Sequence, residues 1–398
     1  MRIVLVIDQW DNVRHGVTVA ARRTVEILRK HGHYVRVVAT GLPEQDKYVV
    51  PEIDDIVQKA SSQHALKYGY PDEAVLREAF VGADLVHFMI PYKLCAKGAD
   101  IALEMHIPIT GAFHVQPENI THHLNLYMFP FVAECIFEGF KYCYYNKFEF
   151  IHCPTEFIAN ELRRHNYDAR LYVISNGVHE CFKPHPEIKK PAEWADKFVV
   201  TMVGRYAHEK RQDVLIKAIK GSPIEDKIQL VFAGTGPLEE HYKKLAHGLK
   251  NPAHFSWYDR DGLVTLLNQS DLYIHCADAE IEAISAIEAI SCGVVPVIAV
   301  SKKSATRQFA LDQRSLFEHA QPHQLLEKIT YWIEHPEELH AMKSEYTKEA
   351  EQYQLESCVY KLEGMFMDSI KYYNETVWCP KPVITETSGI NVTGRYTA

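Results

Sequence analysis

The chain has 398 residues, 47% hydrophobic and 24% charged, with a formal net charge of −9. That length calls for two cores, the composition is that of a soluble globular protein, and the negative balance argues against a nucleic-acid partner. No run approaches the ~18 apolar residues of a spanning helix, and the nine cysteines, lacking any Cys-x-x-Cys pair, read as reduced cytosolic thiols.

Residues 1–7 read as a buried first strand and not a signal peptide, because the apolar run is short and Asp8 and Asp11 follow at once. The strand passes through Asp8-Gln-Trp-Asp-Asn-Val-Arg-His-Gly16 into a helix. A glycine at a helix start offers free N–H groups and a positive dipole end to phosphate. The loop is neither a Walker loop nor a Gly-x-Gly-x-x-Gly fingerprint. Residues 17–30 carry Val17, Ala21, Val25 and Leu28 on one helical stripe, with Gly32 as the stop. Arg22, Arg23, Arg29, Lys30 and Arg36 form a basic cluster that either touches anionic lipid or is simply solvated.

Strand candidates follow at 34–39, 85–90, 107–113 and 171–174, with helical stretches between them. That alternation predicts a doubly wound parallel sheet. His114 ends one candidate and so faces the cleft side of the sheet. His122 and His123 follow, but a metal site would want acidic or Cys partners at tighter spacing. Residues 127–132 and 137–150 are rich in Phe and Tyr, which makes them either a lipid-facing lip or core. Cys135, Cys143 and Cys153 read as core fillers. Residues 183–197 carry three prolines and many charges, the mark of a linker.

The pattern restarts with strand candidates at 198–203, 228–233, 272–276 and 294–299. A late helix covers 355–373, and the tail from Cys379 reads as loosely held. Two such units leave a cleft between their strand ends, a default ligand site.

The chemistry-bearing residues of the second unit sit at strand ends. Gly204 permits a sharp turn, and Arg205 and Lys210 after it can converge on one diphosphate or be ordinary surface charges. Gly234 and Gly236 make a second glycine turn, structural or ligand-binding. Trp257 and Tyr258 offer a ledge for a base, although core packing is the expectation for Trp257. Glu280 and Glu288 bracket a loop and helix start after a strand, where open α/β sheets bind ligands. They can grip hydroxyls at two ends of one sugar nucleotide. Hydrolase signatures such as HExxH and GxSxG are absent.

In this order and at these spacings, Gly204-Arg205 with Lys210, the Glu280/Glu288 pair, Ile174-Ser-Asn176-Gly177-Val178 before Phe182-Lys-Pro184, Gly16, Asp84-Leu-Val-His87 and His114 resemble the retaining glycosyltransferases of family 4. The resemblance covers about residues 1–375. It implies a GT-B fold of two Rossmann-like domains facing across a cleft, with acceptor binding in 1–185, nucleotide-sugar binding in 186–365, and 366–398 packing back on the first domain. It also implies roles. Arg205 and Lys210 bind the donor diphosphate, Glu288 the ribose and Glu280 the transferred sugar. Amides near Ile284 and Ser285 cap the distal phosphate, Gly16, Gly204 and Gly234 come close to the nucleotide, and His114 sits beside the reacting face. His114-Val-Gln-Pro-Glu-Asn-Ile120 and the aromatic stretch further resemble bacterial transferases that glycosylate membrane lipids.

The implied reaction moves glucose or galactose from a UDP-sugar to diacylglycerol, sterol or ceramide. The leaving diphosphate can take the acceptor proton, so no tightly bound cofactor, essential metal or protein nucleophile is expected. The implied location is cytoplasmic, peripheral on the inner face of the plasma membrane, with contact through the first domain. A soluble glycan or small-molecule acceptor, an epimerase or phosphorylase, and a non-catalytic binding protein are the alternatives. Two departures stand out: Ile281-Glu282-Ala283 replaces a glycine-rich stretch, and Cys292-Gly-Val-Val-Pro296 carries one extra residue.

Overall fold

The computed structural model describes residues 1–12, 16–53, 67–124 and 126–377; the expected loose tail from Cys379 and the side chain of His123 lie outside them. The first domain contains β1 (Arg2–Gln9), α1 (Gly16–Lys30), β2 (Tyr34–Thr40), β3 (Lys47–Val49), α2 (Glu73–Phe80), β4 (Leu85–Phe88), α3 (Lys93–Glu104), β5 (Ile109–Ala112), α4 (Pro117–His123), α5 (Pro130–Cys143), β6 (Phe150–Cys153), α6 (Glu156–Arg164) and β7 (Arg170–Val173). The second contains β8 (Phe198–Val203), α7 (Gln212–Ile219), β9 (Ile228–Ala233), α8 (Glu239–Ala246), β10 (His254–Ser256), α9 (Arg260–Gln269), β11 (Leu272–His275), β12 (Ala279–Glu280), α10 (Ile284–Ser291), β13 (Val295–Val300), β14 (Lys303–Ser304), β15 (Leu316–Glu318), α11 (Pro322–Glu334) and α12 (Pro336–Ala350), and α13 (Leu355–Tyr372) follows.

The central strands are unbroken Val/Ile/Leu runs because helices cover both faces of each sheet. Ile3 to Ile7 are all buried. The first sheet runs β3-β2-β1-β4-β5-β6-β7 and the second β10-β9-β8-β11-β13-β15, with every pairing parallel. Strand order reverses between β1 and β4 in one and between β8 and β11 in the other. Those two reversals place the ligand crevice of each sheet.

Helix α1 buries Ala21, Val25 and Leu28 as its stripe requires. The basic residues of this region have local partners. Arg22 pairs with Glu44 and lies over Trp10, Arg29 donates to the Val35 carbonyl, Lys30 pairs with Glu356, and Arg36 is buried against Tyr34.

The predicted linker is folded onto the second domain. Trp194 is buried with Val199, Val231 and Leu266, Gln269 holds the Lys189 carbonyl, and Lys190 pairs with Asp271. The prolines there shape a packed connector. Helix α13 crosses back and buries Leu355, Cys358, Val359, Leu362 and Phe366 in the first core.

The aromatic stretch divides. Phe137, Tyr144, Tyr145, Phe148 and Phe150 are core, while Tyr127, Met128, Phe129, Phe131 and Tyr142 are exposed. Cys153 is buried, but Cys135 and Cys143 lie on the outer face of α5, exposed, contrary to their reading as core fillers.

Candidate functional site

The carboxyl ends of the two sheets face each other across a cleft of about 790 Å³. Gly16, His114, Gly204, Arg205, Lys210, Gly234, Glu280, Ile284 and Ser285 all line it. Glu288, one turn further along α10, is buried and stands outside the lining.

On the second-domain wall, β8 ends at Gly204, whose φ of 153° suits glycine. Gly234 closes β9 directly against it: a Cβ there would fall 2.1 Å from the Gly204 carbonyl oxygen. Gly234 is thus a packing requirement of the Gly204–Arg205 turn. Gly16 opens α1 with free space around it.

Arg205 donates to Glu209 over 2.8 Å, and Lys210 is ion-paired to Glu280. Burial, the largest single influence, works to raise the Glu280 carboxyl, but Lys210 and His275 together outweigh it and hold it at about 2. His275 Nε2 stands 3.5 Å from the same carboxylate. Its Nδ1 meets the Tyr273 hydroxyl at 3.1 Å, and that hydroxyl meets Ser285 Oγ at 2.9 Å. A buried Ser285–Tyr273–His275 chain therefore stands behind Glu280. The one signal for His275 was a histidine inside an otherwise apolar strand.

Ala283 precedes α10 with φ 61°, the left-handed region. A non-glycine residue pays roughly 1–2 kcal/mol for this, so the chain keeps a glycine-like backbone where the glycines are missing. The free amides at the start of α10 then open into the cleft beside Ile284 and Ser285, where the helix dipole favours an anion. Glu282 has a different task. It is buried and accepts from the Asn176 backbone N–H at 3.1 Å and the Asn176 side chain at 2.6 Å, and burial raises its carboxyl to about 7.

That bond belongs to a seam between the domains. Thr155 caps α6 and donates its hydroxyl to the Ile281 carbonyl at 2.8 Å; Gln116 donates to the Lys303 carbonyl at 2.8 Å. Arg23 reaches Glu288 over 3.1 Å. Burial pushes the Glu288 carboxyl up and Arg23 opposes it.

On the first-domain wall, His114 is buried, edge-on to His152, and its Nε2 has no partner among the described residues. Burial, with His152 and His87 nearby, keeps it neutral well below its ordinary range. His122 stacks on Tyr127. Trp257 is not core: it is 46% exposed and lines the cleft with Tyr258. Sequence reasoning assigned no site role to Asp8, Arg23, Gln116 and Glu282, because each takes meaning only from a partner distant in the chain, nor to His275, whose partners lie within ten residues.

Chemically, one wall offers two cations and a helix start to a diphosphate, and an exposed aromatic ledge to a base. The opposite wall offers mainly neutral and carboxylic groups, with Lys67, paired to Glu52, at its edge.

Comparison with known proteins agrees with this geometry. Residues 14–180 match the Glycosyltransferase Family 4 model and residues 185–349 the model for Glycosyl transferases group 1. The alpha-monoglucosyldiacylglycerol synthase of Streptococcus pneumoniae is 24% identical over 75% of this chain and 71% of its own length. A GDP-mannose-dependent alpha-mannosyltransferase of Corynebacterium glutamicum is 24% identical over 74% of this chain and 71% of its own. The crystal structure of Anabaena HepE in complex with UDP-glucose shares the fold at TM-score 0.69, with 15% identity over 92% of this chain and 100% of that chain. Among the described residues, no helix is long and apolar enough to cross a membrane.

Proposed function

This chain belongs to the two-domain glycosyltransferases, family 4 in its first half and group 1 in its second, and we propose that it transfers a hexose, with retention of configuration, from a UDP-sugar to the hydroxyl of a membrane lipid. The observation that carries this reading is the convergence of Arg205, Lys210 and the start of α10 on one wall of the interdomain cleft. Fixed positive charge there stabilises a departing diphosphate as its negative charge grows. A donor diphosphate exchanges for Glu209 and Glu280 at the two cations, which frees Glu280 for a sugar hydroxyl. The bond from the anomeric carbon to the diphosphate breaks, and a bond to the acceptor oxygen forms on the same face. The acceptor proton leaves with the diphosphate, so the chain supplies no nucleophile and needs no metal.

In this reading residues 1–185 bind the acceptor and 186–365 the nucleotide sugar, with His114 beside the reacting face. Glu288 reaches the ribose after the Arg23 contact loosens. UDP is the donor nucleotide we favour, since the Anabaena protein of the same fold holds UDP-glucose. The Corynebacterium relative, named for GDP-mannose, supplies the rival. A lipid acceptor is supported by the name of the pneumococcal relative. It is supported too by exposed Met128, Phe129 and Phe131 just beyond α4, whose Asn119 and Ile120 line the cleft. Such a patch suits peripheral attachment to the inner face of a membrane.

The test is a donor-by-acceptor screen with EDTA present. UDP release is followed from UDP-glucose, UDP-galactose and UDP-N-acetylglucosamine, with GDP-mannose alongside, each against diacylglycerol, sterol and ceramide in micelles. Lipid-dependent release of UDP from one donor is expected. Release with GDP-mannose alone defeats the UDP assignment; nucleotide binding with no lipid-dependent release defeats the lipid acceptor.

A further inference from the structure

Asp8 is the penultimate residue of β1, near the carboxyl end where strand order reverses between β1 and β4. Its side chain lines the cleft and yet the residue is 1% exposed. Oδ1 accepts the Gly69 N–H at 2.8 Å, while Oδ2 has no partner among the described residues. Buried polar atoms are nearly always paired, so an orphan on a residue that lines a cleft marks a place for a ligand atom. No cation faces it. The groups around it are Tyr92, Cys95 and Tyr144. Burial, weakly opposed by the Gly69 bond, raises the carboxyl to about 7.

These surroundings define the ligand. A carboxyl without a cation repels a diphosphate, and both donor cations sit on the other wall. Ile90, Tyr68 and Tyr92 flank Asp8 along the lining. A hydrogen-bonding group on an apolar body fits this corner; an anion does not.

We propose that Asp8 positions the acceptor before transfer, its Oδ2 accepting from the hydroxyl that receives the sugar until that proton turns to the departing diphosphate, with Tyr68, Ile90 and Tyr92 against the apolar part of the alcohol. This assignment rests on the transferase reading above and specifies which group on the first-domain wall selects an alcohol.

Asp8→Asn is a near-isosteric test. Asn keeps an oxygen for the Gly69 N–H and turns only the second position from acceptor to donor; it also removes a buried charge, so folding is not put at risk. With UDP-glucose and diacylglycerol in micelles, KM for diacylglycerol rises roughly tenfold or more, the loss of one hydrogen bond to an ionisable group. UDP affinity and the melting temperature stay at wild-type values. An unchanged KM for diacylglycerol in the folded variant overturns the assignment, as does an equal loss of UDP affinity. Wild-type protein that binds UDP but glycosylates no lipid alcohol overturns the lipid-transferase reading itself. Wild-type transfer with an indifferent Asp8→Asn overturns only the role of Asp8.

Discussion

Arg23 of the first domain donates to Glu288 of the second over 3.1 Å, with side-chain exposures of 16% and 8%. The contact ties α1 to α10 across the seam that donor binding has to use. Arg23→Gln leaves a buried carboxylate without its partner, which costs on the order of 3–5 kcal/mol. The double variant Arg23→Gln/Glu288→Gln recovers part of that loss. Denaturant titration of wild type, both single variants and the double variant gives the coupling; strictly additive losses contradict the pair.

Arg205→Ala lowers turnover by roughly 10²–10³, as for loss of a contact to a developing oxyanion. Steady-state kinetics with saturating donor checks this. Turnover near wild type removes Arg205 from the diphosphate site.

Trp257→Ala weakens nucleotide binding by about 1–3 kcal/mol, the worth of one base stacked on an aromatic ring. Its exposure of 46% means that the melting temperature stays put. Calorimetric titration with UDP separates the two effects. Unchanged affinity assigns the base to another surface.

Gly234→Ala forces a Cβ to within 2.1 Å of the Gly204 oxygen, at a φ of 158°. Strain of this kind costs about 1–3 kcal/mol, and here it also displaces the turn that carries Arg205. Both stability and kcat/KM fall. Gly16→Ala meets nothing within 4 Å and leaves stability unchanged. Equal melting temperatures for the two variants contradict the packing argument.

Glu282 sets a pH dependence. Its carboxyl rises from 4.5 to about 7, with burial the first cause. A raised carboxylate favours the folded state when protonated. The contribution is therefore complete below about pH 4.5 and is lost as pH rises through 7. At 1.36 kcal/mol per unit the span is on the order of 3 kcal/mol. Unfolding free energies of wild type measured from pH 5 to 8 should decline more steeply than those of Glu282→Gln. Parallel slopes reject Glu282 as the titrating group.

The strands legible in the sequence were those with continuous aliphatic runs. The expected 198–203 and 228–233 are β8 and β9 to the residue. Edge strands β3, β10 and β15 have only three residues each and carry no such run. β6 was hidden in the aromatic stretch, where Phe150 belongs to the sheet and Phe131 to the surface. In the site, Gly204, Arg205, Lys210 and Glu280 were readable because they follow strand ends in one domain. Arg23 with Glu288 and Asn176 with Glu282 were not, since each pair joins segments more than 100 residues apart. Trp257, expected in the core, lines the cleft instead, because whether a side chain at a strand end is core or cleft depends on how closely the opposite domain approaches.

The most direct test of the central claim is the anomeric configuration of the product. Wild-type protein is incubated with a UDP-hexose and diacylglycerol in EDTA, and the purified glycolipid is examined by proton NMR. The account predicts an α-linked hexosyl lipid from wild type and none from Arg205→Ala/Lys210→Ala. A β-linked product, or glycolipid formed equally by the double variant, would contradict it.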